Sequence, residues 1–238
     1  MATRNFLYKS EIVINDFISI KVPKVGQIIE NEDSYYNLVH MLTAMPIDFM
    51  VPLDDAGVDF STINDYDLFI SLFGAIKECD TKLIFGDLDL SKFEFAISED
   101  TGKPIYLDPT TDRAFDRTAQ VNIANTLRKI HHLEKNNRKP GNEEARKYMI
   151  ERARKKMKRN RGRNYDSQLE NLIIAMVNTE QYKYDFEGTL ELSIYQFNES
   201  VRQVIKKVDY TNKMFGIYSG TISPKDFSQD ELNWLIHK

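Results

Sequence analysis

Lys92-Phe93-Glu94-Phe95-Ala96-Ile97, then Asp100-Thr101-Gly102-Lys103, then Ile105-Tyr106-Leu107-Asp108-Pro109 is the stretch that sets the fold class. Large apolar side chains (Phe93, Phe95, Ile97) alternate with charged or small ones in the first run, which is the period of a strand. A glycine-containing turn follows, and the second run ends at Pro109, which cannot donate to a ladder. The reading is an antiparallel hairpin.

Working downstream, a helix is expected from about Asp116 to Leu133. Ile123, Leu127, Ile130 and Leu133 share one face at three- and four-residue steps, with Val121 and Ala124 to its side. Upstream, Lys82 to Asp87 reads as a short apolar link ending near Gly86. Before it lies a helix with Tyr66, Phe69, Ile70, Leu72 and Phe73 apolar, expected to be capped by Ser61 or Thr62. Asp65 and Asp67 in its first turn suit the helix dipole. Pro46 opens a short helix, Ile47 to Leu53, that stops near Gly57. From Val25 to Leu42 the spacing is helical, with a break at Asn31-Glu32-Asp33. At the start, Glu11 to Ile14 and Phe17 to Val22 flank Asn15-Asp16, a second hairpin closed by Pro23. Residues 1–135 therefore predict a small acidic α+β domain of two hairpins with short helices.

Residues 136–142, Asn136-Asn137-Arg138-Lys139-Pro140-Gly141-Asn142, read as a linker. Residues 143–238 read as a helical region. Asn142 caps a basic helix that begins with Glu143 and Glu144 and runs to about Asn160. Ser167 opens an apolar helix, and Tyr182 to Gly188 form a loop. Leu190 to about Tyr218 is the longest helix, and a last one starts around Ser228, packing Leu232, Trp234 and Leu235. The expected class is α+β, with an all-helical C-terminal half.

Hydrophobic residues make up 42% and charged residues 29% of the 238, the balance of a folded chain and not of a disordered one. No apolar run approaches the roughly 18 residues of a membrane helix, and no signal peptide is read at the N-terminus. The single cysteine, Cys79, excludes an intramolecular disulfide. Its neighbours Glu78 and Asp80 raise the thiol pKa, which favours a bland thiol over a nucleophile. His131 and His132 are adjacent, so on a helix their rings diverge by about 100° and cannot share a metal. The acids of Leu53-Asp54-Asp55-Ala56-Gly57-Val58-Asp59 lack calcium-loop spacing. Asp87 and Asp89 have no companion base or nucleophile, and a structural turn explains them better. No phosphate loop, dinucleotide fingerprint or nucleophile elbow occurs. The expectation is a protein that is not an enzyme, with no catalytic residue, cofactor or metal.

Charge is strongly segregated. Residues 1–127 carry a net −11, residues 128–163 a net +11, and residues 164–238 a net −4. Arg146, Lys147, Arg152, Arg154, Lys155, Lys156, Lys158, Arg159, Arg161 and Arg163 fall within eighteen positions and are the candidate partner-binding residues. Ala145, Met149, Ala153 and Met157 form a narrow apolar stripe on which that helix could dock. Three readings stay open. The cations could answer the acidic half of the chain or of a second copy; they could meet an acidic protein; or they could bind nucleic acid through phosphates. Only Tyr148 and Tyr165 are at hand for base stacking, which disfavours the last.

The run Ile20 to Glu30, with Tyr35-Tyr36, Met45-Pro46 and Leu53 to Phe60, resembles proteins encoded in the tail gene clusters of phages and prophages of Gram-positive bacteria. Arg128 to Glu134 and Tyr195 to Ser200 are similar to the same group. The resemblance implies a tail assembly chaperone or tail morphogenesis protein, acting in the cytoplasm of the bacterial host. Such a factor engages the tape measure protein, or another tail protein, before the tube closes around it. Self-association would fit the same task. A structural protein of the virion and a nucleic-acid-binding phage protein remain alternatives, and no membrane is implied.

Overall fold

The computed structural model describes residues 6–161 and 167–235. The chain is α+β, with two small antiparallel sheets in the first half and helices in the second. Strands β1 (Glu11–Val13) and β2 (Ser19–Lys21) pair with Ile12 opposite Ile20. Their turn is set by Asn15, whose side-chain oxygen accepts from the amides of Phe17 and Ile18. Pro23 leads into α1 (Val25–Ile29), and α2 (Glu32–Thr43) follows the break at Asn31.

Pro46–Phe49 is a 3-10 turn running straight into α3 (Met50–Asp55). Helix α4 (Asp65–Lys77) is capped by Asn64 and not by Ser61 or Thr62, because both of those are taken up in a turn around Asp59. The expected link at Lys82 is one helical turn, α5 (Lys82–Phe85), which Gly86 ends with φ +64°. The diagnostic hairpin is present as β3 (Glu94–Ile97) and β4 (Pro104–Asp108), with Phe95 opposite Tyr106. A third strand, β5 (Arg113–Phe115), extends it after a tight turn in which Asp112 is left-handed. Then comes α6 (Arg117–His131), capped by Asp116.

The cationic helix α7 (Glu143–Asn160) has its predicted Asn142 cap. Ser167 caps α8 (Gln168–Val177). The expected single long helix is two. Asp185 caps α9 (Phe186–Glu191), which occupies part of the predicted loop, and Ser193 then starts α10 (Ile194–Tyr218). Ser193 also bridges to Lys24, so the break sits where α10 meets the first half of the chain. No final helix forms around Ser228; Pro224–Asp226 is a 3-10 turn, and the segment to residue 235 continues in turns.

One large core takes side chains from both sides of residues 136–142. Phe115 sits at its centre, within 6.5 Å ring-to-ring of Phe17, Phe69, Phe73, Phe85 and Phe93. Leu169, Ile173, Met176, Ile194 and Phe197 from α8 and α10 belong to the same cluster. Glu32, almost wholly buried at the start of α2, accepts from the Leu169 amide at 3.0 Å and from the Ser167 hydroxyl. It thus caps α8 from the other half of the chain. A second, smaller cluster of Ile47, Val51, Phe60 and Ile150 holds α7.

Candidate partner-binding surface

Helix α7 docks through Ile150, with Met149 and Ala153 beside it, onto α3 and the turn before it. The apolar stripe expected from sequence is therefore shifted by one residue. Met157 does not dock; it is 54% exposed. Around this contact the acids of the Asp54–Asp59 loop act as counter-charges. Arg154 donates to Asp55 at 2.5 Å and to Asp54 at 2.7 Å. Arg146 reaches Asp59 at 3.5 Å and pairs with Glu143 on its own helix at 2.7 Å, while Lys147 lies 3.7 Å from Glu143. Bonds from the backbone and side chain of Ser61, with Arg146 nearby, hold Asp59 below the ordinary carboxylate range. The hydrogen bond to Asp55 raises the already high pKa of Arg154. What resembled a poor calcium loop is thus a seat for two arginines. Among the described residues, no group of three His, Cys, Asp or Glu side chains could hold a metal ion.

The other cations stay in solvent. Arg152, Lys155, Lys156, Lys158, Arg159 and Arg161 are exposed, and none forms an ion pair with a described residue. Arg163 lies outside the described residues, as do Tyr165 and His237. At 100° per residue, Arg152, Lys155 and Arg159 fall on the side of α7 away from Ile150. Met157 and Arg161 share the azimuth of Ile150 but lie two and three turns beyond it. There α7 overhangs the body and leaves a groove of about 870 Å³ between itself and the α2–α3 region. Phe49, Met50, Val51 and Pro52 form one wall, and Met157 with Lys156 and Lys158 faces them. The wall is fixed from behind. Arg128, buried on α6, donates to the Thr43 carbonyl at the end of α2, and Asn136 donates to Asp48 at 2.8 Å. Burial lowers the pKa of Arg128, and the charges of Asp65 and Asp48 oppose that shift.

Helix α10 behaves in the same way. Ile194 and Phe197 are fully buried, and Val201 and Val204 are half-buried against the core. The same face then runs past the body, where Ile205 and Phe215 are 62% and 75% exposed. The segment after α10 folds back along it, with Ile222 against Gly216 and Trp234 under Lys207 at 4.3 Å, and still leaves Ile205 and Phe215 in solvent. Half-buried wall residues such as Met50 were not singled out by sequence. Amphipathic spacing marks a face as apolar but does not say where its partner stops.

The paired histidines and the cysteine lie among packing and hydrogen-bonding partners. His131 Nε2 lies 2.9 Å from the Tyr35 hydroxyl, and His132 faces Glu199 at 3.5 Å. Burial first, and His132 second, bring His131 down to about 4, so its ring is neutral and shares a hydrogen bond with the Tyr35 hydroxyl. Cys79 is half-buried, and its thiol is raised by burial and then by Glu78. No helix among the described residues is long and apolar enough to cross a membrane.

Residues 156–237 match the family described as the YomV second domain, so the match begins inside α7 and takes in α8, α9 and α10. That family is associated with phages and prophages, and the match supports a phage-related protein. No curated protein and no solved structure matches the chain.

Proposed function

We propose that this chain is a non-enzymatic tail assembly chaperone or morphogenesis factor, acting in the host cytoplasm on the tape measure or another tail protein. The observation that carries the reading is the exposed apolar face of α10, which continues a core face into solvent over about three turns. A soluble chain rarely leaves such a face open without a partner. Its periodicity suits the apolar side of another helix, read as anchors at three- and four-residue steps. The phage-associated match over this region adds support. Co-expression with the tail proteins of the same phage tests it. A tail protein should co-purify with the wild-type chain and be lost from an I205D/F215D variant that keeps its helix content. Equal recovery with that variant, or recovery of no tail protein, refutes the reading.

A nucleic-acid role is the second reading. It is favoured by Arg152, Lys155 and Arg159, three solvent-facing cations on one side of α7 with Tyr148 65% exposed beside them. It requires binding to DNA or RNA that weakens steeply with salt.

A further inference from the structure

We infer that the groove between the overhanging end of α7 and the Phe49–Pro52 wall receives an acidic, amphipathic helical segment of a protein partner. The inference names the partner chemistry of a factor that binds proteins, and rests on that reading. Three features of the groove converge on such an occupant.

Its floor and one wall are apolar. Phe49 is already stacked on His40, with ring centroids 5.2 Å apart, so one of its two faces is taken and it is held in place as packing area. Met50 and Met157 line opposite sides. Methionine is unbranched and polarizable, and adapts to side chains of different shape. Met157 is more than half exposed although it shares the azimuth of buried Ile150, so a docking stripe continues there uncovered by any described residue.

The rim is cationic. Arg154 is held by Asp54 and Asp55, but Lys156, Lys158 and Arg161 form no ion pair with a described residue. A helix presents side chains at three- and four-residue steps about 5–6 Å apart. Cations at positions 158 and 161 have that same spacing, so carboxylates on a facing helix can meet them in register. Apolar anchors would fill the floor while acids meet the rim.

Nucleic acid fits this groove less well. Its lining of Phe49 to Pro52 and Met157 offers apolar packing that a phosphate backbone cannot use. The solvent-facing cations on the far side of α7 suit phosphates better, so the two ligands are expected on different faces and can be told apart.

The test uses the full chain and a fluorescent synthetic helix carrying leucine at i, i+3 and i+7 with glutamate between. A lysine-for-glutamate version and a single-stranded oligonucleotide serve as comparison probes. Anisotropy should report binding of the acidic helix that weakens with salt. K156E/K158E/R161E should weaken it roughly tenfold, the yield of three exposed charge pairs, and M157D by a similar factor. R152E/K155E/R159E, on the far side, should change it less than about threefold. All these positions are exposed, so unchanged circular dichroism is expected and checks the fold. Failure of the acidic helix to bind, equal loss in both triple variants, or rim-dependent binding of the oligonucleotide instead overturns the inference. If the acidic helix fails while a tail protein still co-purifies, the groove is wrong and the tail role stands. If the acidic helix binds but no tail protein is recovered, the reverse holds.

Discussion

Replacing Glu32 by alanine tests whether the two halves of the chain fold as one unit. Glu32 is 5% exposed, and its carboxylate accepts from the Leu169 amide and the Ser167 hydroxyl, 137 and 135 residues away. A hydrogen bond to a charged group contributes about 1.5–3 kcal/mol, and truncation leaves the Leu169 amide unpaired. Ser167 retains its bond to the Glu170 amide at 2.8 Å, so its share is at the low end. Glu32 also stands in the first turn of α2, where an acid adds about 0.3–1 kcal/mol. The sum is about 3–4 kcal/mol, a large part of the roughly 5–15 kcal/mol that holds a domain together. The assay is urea unfolding followed both by far-ultraviolet circular dichroism and by fluorescence of Trp234, the only tryptophan, which lies in the segment packed on α10. Both probes should give one coincident transition, shifted together by Glu32→Ala. A double-mutant cycle with Ser167→Ala should return a coupling of about 1 kcal/mol. Two separate transitions, of which the substitution moves one, or a coupling of zero, would refute the argument that a carboxylate of α2 secures α8.

Two further substitutions follow from the packing. Ile150→Ala removes the only buried side chain of α7, in a small cluster, and should cost about 2–4 kcal/mol of local stability. Hydrogen exchange should then show α7 amides losing protection while those of α6 keep theirs; a uniform loss would mean that α7 does not open by itself. The His131 ring, brought down to about 4, titrates below its unfolded value of about 6.5. Protonation therefore favours the unfolded chain. Stability is full above about pH 6.5 and falls as pH drops from there towards 4, by at most about 3 kcal/mol. His131→Gln should flatten this window relative to wild type in urea midpoints taken between pH 7.5 and 5, and an unchanged slope would show that other groups produce it.

Much of the fold was legible because local chemistry decided it. Asn142, Ser167 and Asp116 cap helices where the sequence placed their starts, since each supplies a side-chain oxygen at a point where free amides need one. Other features depend on distant partners. Strand β5 is three residues long and exists because Phe115 pairs opposite Tyr106 and fills the aromatic core, which no window of local sequence contains. The break at Leu192–Ser193 arises from hydrogen bonds to Pro23 and Val25 across the chain. In β3 the alternation is real, yet Phe95 and Ile97 face solvent, because periodicity does not say which face the body covers. Of the candidate surface, the cations were legible one by one, but the groove was not. Its second wall comes from a segment about a hundred residues earlier in the sequence.

The balance of −11 against +11 suggested that the cationic helix answers the acidic half of the chain, and geometry limits how far that can hold. Eight cations on the eighteen residues of α7 point in every direction, since each residue turns it by 100°. A helix that docks through one apolar side can bring only the cations beside that side to the body. Here those are Arg146 and Arg154, and the acids that receive them are Asp54, Asp55 and Asp59. Docking the helix the other way round would match other cations and strand these two, burying polar groups where Ile150 now packs. A block this dense on a docked helix therefore leaves cations in solvent whatever the composition of the rest. Sequence balance alone would assign all ten to internal neutralisation. In the folded chain six of the nine described form no ion pair with a described residue, and charge reversal at those six measures what they meet.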